Sequence, residues 1–123
     1  TRAFSYIDDN LEPFWKSAIL PEASKQIINV GGIEEISINE ACNTLIKVIG
    51  SGEKRYLEGR HEVKHSIPTW QKSVDILGYK YNTKLENGLK QMWNWAQTQP
   101  KRERFIWSEY ELVKGIYSFW KNK

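Results

Sequence analysis

At 123 residues, with 40% hydrophobic and 27% charged side chains, the chain has the size and composition of one modest globular domain. Nothing approaches the ~18 continuous apolar residues of a membrane span, and the single Cys42 excludes an internal disulfide and, with only two histidines, a Cys/His zinc site. The net charge of +3 is unevenly spread: residues 1–62 hold 7 Lys+Arg against 10 Asp+Glu, and residues 63–123 hold 11 against 5, a second half at +6. Such a half suits nucleic acid, an anionic surface or a phosphorylated small molecule, although its lysines are scattered like those of solvated helix faces. With no charged-then-apolar leader and a lone thiol, the expectation is a cytoplasmic protein.

Residues 1–7, "TRAFSYI", alternate with period two and are rich in strand formers, which predicts a strand. Asp8 or Asp9 is then placed to cap a helix. On it Leu11, Phe14, Trp15, Ala18 and Ile19 make one apolar face, and Pro21 is the stop. "QIINV" at 26–30, closed by Gly31-Gly32, predicts a buried strand running into a turn. "SINE" at 37–40 is a capping box, with Ile36 stapling Ala41. The helix it opens carries Ile38, Ala41, Cys42, Leu45 and Ile49 inward and ends at Gly50.

Residues 54–67 read as a strand interrupted near Gly59. Pro68 and Thr69 then start a short helix with Trp70, Val74 and Leu77 inward, stopped by Gly78. "TKLE" at 83–86 is a second capping box, opening a helix with Leu85, Leu89, Met92, Trp93 and Ala96 inward and Pro100 beyond its end. "SEYE" at 108–111 is a third, with Leu112, Ile116, Phe119 and Trp120 as its stripe. The expected fold class is α+β, helix-dominated, with short strands.

Chemistry is sparse. Gly31-Gly32 is a turn, and "GSG" at 50–52 follows a helix instead of opening one, so neither is a phosphate-cradling loop. His61 and His65, placed on a strand, would stand about 13 Å apart, too far to share a metal. Trp15, Trp70, Trp93 and Trp120 sit on helical stripes, whereas Trp95 and Trp107 fall off them and mark a covered interface better than a ligand platform. Arg2 and Arg60 end or interrupt strand-like segments beside turns, where a planar guanidinium can grip a phosphate with two prongs.

Taken in order, "TRAFSYIDD", "INVGGIEEISINE" and "GRHEVKHSIPTWQKSVDILGYKYNTKLENGLKQMWNW" resemble the C-terminal portion of extended short-chain dehydrogenase/reductases, the NAD-dependent nucleotide-sugar epimerases and dehydratases. The resemblance implies that residues 1–96 are a substrate-binding lobe and 97–123 a C-terminal helical extension. It implies that Arg2 reaches the substrate diphosphate, that Arg60 holds its phosphate, and that Glu62 holds the nucleotide ribose. The Arg-x-Glu spacing is shorter here than the Arg-x-x-acid of many members. In the family, NAD is bound by a Rossmann domain with a glycine-rich fingerprint, and a Tyr-x-x-x-Lys pair carries the acid/base step. Tyr110 and Lys114 have that spacing but read as a coincidence on the terminal helix.

The chain is therefore expected to be a C-terminal fragment of an enzyme resembling UDP-glucose 4-epimerase. It would bind a UDP-hexose-type substrate, be inactive alone and hold neither cofactor nor metal itself. Ile27, Ile28 and Val30, deprived of sheet partners, predict a homo-oligomer. The alternative is a stand-alone binding module for nucleic acid or a protein partner, supported by the basic second half and by Trp95 and Trp107. The base, the sugar and the choice between epimerisation and dehydration stay open.

Overall fold

A computed structural model describes residues 1–59 and 61–103; Arg60 and the third capping box with its stripe lie outside them. Two short strands, β1 (Arg2–Ala3) and β2 (Glu35–Ile36), pair antiparallel, with Arg2 opposite Ile36 and Ala3 opposite Glu35. Ser66 joins the other side of β1 through a parallel bridge to Arg2, its amide donating to the Thr1 carbonyl at 3.1 Å. Among the described residues there are four helices, α1 (Ile7–Ile19), α2 (Ile38–Ile49), α3 (Gln71–Leu77) and α4 (Leu85–Thr98), with one 3₁₀ turn at Pro21–Ala23. α2 packs along α4, and α1 packs against α3 and the 3₁₀ turn. The fold is a helix-rich α+β piece.

The core is small. Ala23, Ile36, Leu77 and Tyr79 are buried, together with Ser73, whose hydroxyl donates to the Trp70 carbonyl at 2.7 Å. Two glycines set the closest approaches. A Cβ on Gly32 would stand 2.0 Å from the Phe4 carbonyl oxygen, so only glycine lets the segment before β2 lie flush on the β1–α1 connection. A Cβ on buried Gly88 would stand 3.2 Å from the Tyr6 ring, which is how α4 comes against the entry to α1.

The helix ends follow local chemistry. The Ser37 hydroxyl accepts from the Glu40 amide at 3.0 Å, the first half of the expected capping box. Gly50 (φ 83°) and Gly78 (φ 65°) close α2 and α3 in the left-handed conformation.

Elsewhere the structure corrects the sequence-based expectations. The first strand covers two residues and not seven, because Ile7 already begins α1. The cap position of α1 is Tyr6, without a side-chain cap; Asp8 and Asp9 lie in the first turn, where carboxylates complement the helix dipole. Residues 26–30 form no strand, having no ladder partner among the described residues, and Ile27 is 88% exposed. Residues 54–67 form none either, apart from the bridge at Ser66, so the strand geometry assumed for His61 and His65 does not apply. α4 is led by Lys84 with no side-chain cap, since Thr83 is engaged elsewhere. Met92 and Ala96 on α4, and Ile38 and Leu45 on α2, are exposed and not inward. The expected stripe of α1 faces outward. Among the described residues no helix is long and apolar enough to cross a membrane, and no group of three or more His, Cys, Asp or Glu is placed to hold a metal.

Candidate functional site

β1 places Arg2 between β2 and the segment 62–66. Its Nη1 donates to the carbonyls of Thr1 at 2.7 Å, Val63 at 3.0 Å and Lys64 at 3.5 Å, and its Nη2 reaches Glu62 Oε2 at 3.4 Å. The pair is only partly desolvated, with side chains 28% and 47% exposed. A guanidinium has five N–H donors, and the bonds made among the described residues involve Nη1 and Nη2. At 3.4 Å the contact with Glu62 is longer than the ~2.7–2.9 Å of a tight charge-assisted bond, and it can exchange for a better acceptor. The structure thus brings Arg2 and Glu62 together; Arg60 lies outside the described residues.

A second cluster ties the same three segments. The Thr1 hydroxyl donates to Glu35 Oε1 at 2.6 Å and lies 2.8 Å from His65 Nδ1, which is itself 3.3 Å from Glu35 Oε1. The Thr1 hydrogen bond, with help from His65, holds the Glu35 carboxyl below the usual carboxylate range against an opposing desolvation. Hydroxyl, imidazole and carboxylate together invite a hydrolytic reading, but a proton relay needs the two partners on opposite ring nitrogens. Here both meet Nδ1, so the trio is a strap across β1. Sequence periodicity had no means of finding Glu35 or His65, because their meeting depends on the register of β2 and on the bridge at Ser66.

Asp9 does not cap its own helix. Its Oδ2 accepts from the amides of Asn82 at 3.1 Å and Thr83 at 2.8 Å, and its Oδ1 accepts from the Thr83 hydroxyl at 3.0 Å, fastening α1 to the approach of α4. Nearby, Lys84 pairs with Glu34 and lies 4.9 Å from the centre of the Tyr81 ring. Burial, and then the Glu34 charge, push the Tyr81 hydroxyl up. The Tyr79 hydroxyl is buried without a hydrogen-bond partner among the described residues, and desolvation raises it too. Between the β1–α1 connection and α4 runs a groove of about 250 Å³ lined chiefly by Phe4, Tyr6, Leu85, Leu89 and Met92.

Trp95 is 63% exposed, consistent with its place off the helical stripe, and Trp107 lies outside the described residues. The Tyr-x-x-x-Lys spacing occurs at Tyr117 and Lys121 as well as at Tyr110 and Lys114. Both pairs lie outside the described residues.

No protein-family model matches the chain. Over 119 residues it is 33% identical to a UDP-glucuronate 4-epimerase of Thermodesulfobacterium geofontis (strain OPF15), covering 94% of this chain and 33% of that protein. Over 103 residues it is 28% identical to a UDP-N-acetyl-alpha-D-glucosaminuronate decarboxylase of Bacillus cytotoxicus, covering 77% of this chain and 32% of that one. The solved structure of UDP-glucuronic acid 4-epimerase from Bacillus cereus, in complex with NAD, superposes with a TM-score of 0.62 at 25% identity, over 78% of this chain and 30% of that chain. The chain spans about a third of the length of the curated relatives it matches.

Proposed function

We propose that this chain, a relative of the nucleotide-sugar epimerases and decarboxylases of the extended short-chain dehydrogenase/reductase type, is the substrate-gripping lobe of a longer NAD-dependent enzyme of that class. In this reading residues 1–96 are the lobe and 97–123 an extension of it. The observation that carries the reading is the exchangeable Arg2–Glu62 pair: a cation and a carboxylate at one partly open place, suited to a diphosphate and to a ribose diol. Arg60, two residues before Glu62 in the sequence, is the second cation of this reading. NAD, when bound by the longer enzyme, supplies hydride acceptance and return. Residues of this lobe hold and orient the substrate and move no proton, so the lobe alone is inactive. Both curated relatives are named for UDP-linked uronic acids, which makes a UDP-hexuronate a closer substrate than the UDP-hexose expected from sequence. A cytoplasmic setting agrees with the free thiol of Cys42. Self-association of the isolated lobe agrees with the exposure of Ile27.

The test is made on the longer enzyme with UDP-glucuronate, UDP-glucose and UDP as ligands. Arg2→Lys keeps the charge but loses the fork, and it is expected to raise the Kd for UDP on the order of 10- to 100-fold while NAD binding stays unchanged. An enzyme that binds no nucleotide sugar overturns the reading. A nucleic-acid module, the reading that exposed Trp95 favours, would instead show affinity falling steeply with salt.

A further inference from the structure

Glu62 owes its place beside Arg2 to bonds between β1 and the segment 62–66, because every residue of that segment is exposed and apolar packing contributes little to holding it. Two of the bonds are backbone ones: the Thr1 nitrogen donates to the Lys64 carbonyl, and the Ser66 amide donates to the Thr1 carbonyl at 3.1 Å. Both meet Thr1, so by themselves they leave the segment a pivot there. The bonds that oppose turning about it, from Nη1 to the Val63 and Lys64 carbonyls and from Nη2 to Glu62, all come from one guanidinium. That guanidinium is the group an incoming diphosphate recruits. A grip built only in this way would lose its carboxylate as it closed on the phosphate.

The strap through Glu35 supplies the missing hold. The Glu35 backbone is fixed in β2, opposite Ala3. Its Oε1 accepts the Thr1 hydroxyl proton at 2.6 Å and lies 3.3 Å from His65 Nδ1. Because the Thr1 proton is spent on Glu35, Nδ1 faces two oxygen acceptors, and the bonds assign it the ring hydrogen. The link therefore runs from β2 to the 62–66 segment without using Arg2 and away from the Thr1 pivot. We propose that Glu35 is a positioning residue of the substrate grip: through His65 it keeps Glu62 in reach of a ribose diol while Arg2 turns from Glu62 to a diphosphate. The proposal rests on the reading of Arg2 and Glu62 as substrate-holding groups, and Glu35 acts through them without touching the substrate.

Isothermal titration of the longer enzyme with UDP, which offers both a diphosphate and a ribose, tests the role. Glu35→Ala is expected to raise the Kd about 3- to 10-fold, whereas Glu35→Gln, which keeps an oxygen able to accept from both Thr1 and His65, stays within about 2-fold of the unaltered enzyme. In a Glu62→Ala background the Glu35→Ala penalty is expected to vanish, because the group that Glu35 positions is gone. A penalty that persists there marks a general loosening and overturns the role, as does an unchanged Kd in Glu35→Ala or a Glu35→Gln enzyme as weak as Glu35→Ala. If Glu35→Ala does not fold, His65→Ala, at an exposed position, enters the same cycle with the same expectations. UDP binding that is insensitive to the strap removes this role alone. An unaltered enzyme that binds no UDP removes the nucleotide-sugar reading and this role with it.

Discussion

On its inner side, α1 is held by a carboxylate that satisfies three donors of the 82–83 segment and by a buried proline; on its outer side, large apolar side chains meet solvent. The two sides reverse the usual expectation that the apolar stripe of an amphipathic helix faces the nearest core. Periodicity establishes that a helix has two unlike faces. Which face a given neighbour receives depends on what that neighbour offers, and the backbone amides of 82–83 offer donors, for which Asp9 is the match.

The contrast between packed and open sides is most severely tested at Gly32. In Gly32→Ala the new Cβ would meet Phe4 backbone atoms at 2.0, 2.6 and 2.8 Å, with no flexible side chain to give way. A loss of about 3 kcal/mol or more is expected in urea unfolding of the chain, a large part of what a domain this size possesses. Next comes Asp9→Ala, which leaves two amides and a hydroxyl to find water. It should cost ~1–3 kcal/mol by the same measurement.

On the open side, Phe14→Ser with Trp15→Ser should change the stability of the isolated chain by no more than about 0.5 kcal/mol. A larger loss would mean that the outer face is already packed. The smallest effect belongs to a surface site away from both sides. Hydrogen bonds from Lys90 and then Lys47 hold the Glu86 carboxyl down from 4.5 to about 2. Because the folded value is the lower one, the contribution of these pairs is present above about pH 4.5 and fades as the pH falls toward about 2. Glu86→Gln should flatten a shallow slope of stability in that window, since the partners are largely exposed.

What the sequence made legible follows how local the physics is. Ser37, Gly50 and Gly78 govern bonds within a turn of themselves, and the ends of α2 and α3 fall where those residues predict. The segments 26–30 and 54–67 have strand composition, but a strand exists only through a partner whose position no local pattern encodes. Thr83 had the chemistry of a cap and was taken by Asp9, 74 residues away, a competition invisible to a window of four. At the candidate site, Arg2 and Glu62 were singled out by resemblance and stand together in space. Glu35 and His65 had no such signal, as they meet only after β2 finds its register.

The first nine residues reach far along the chain: Thr1 to Glu35, Arg2 to Val63, and Asp9 to Thr83. Every one of these links closes a long loop, so few of them can form before most of the sequence is available, and folding of this lobe is expected to be slow for its size. Removing the first nine residues would therefore untie three distant segments at once.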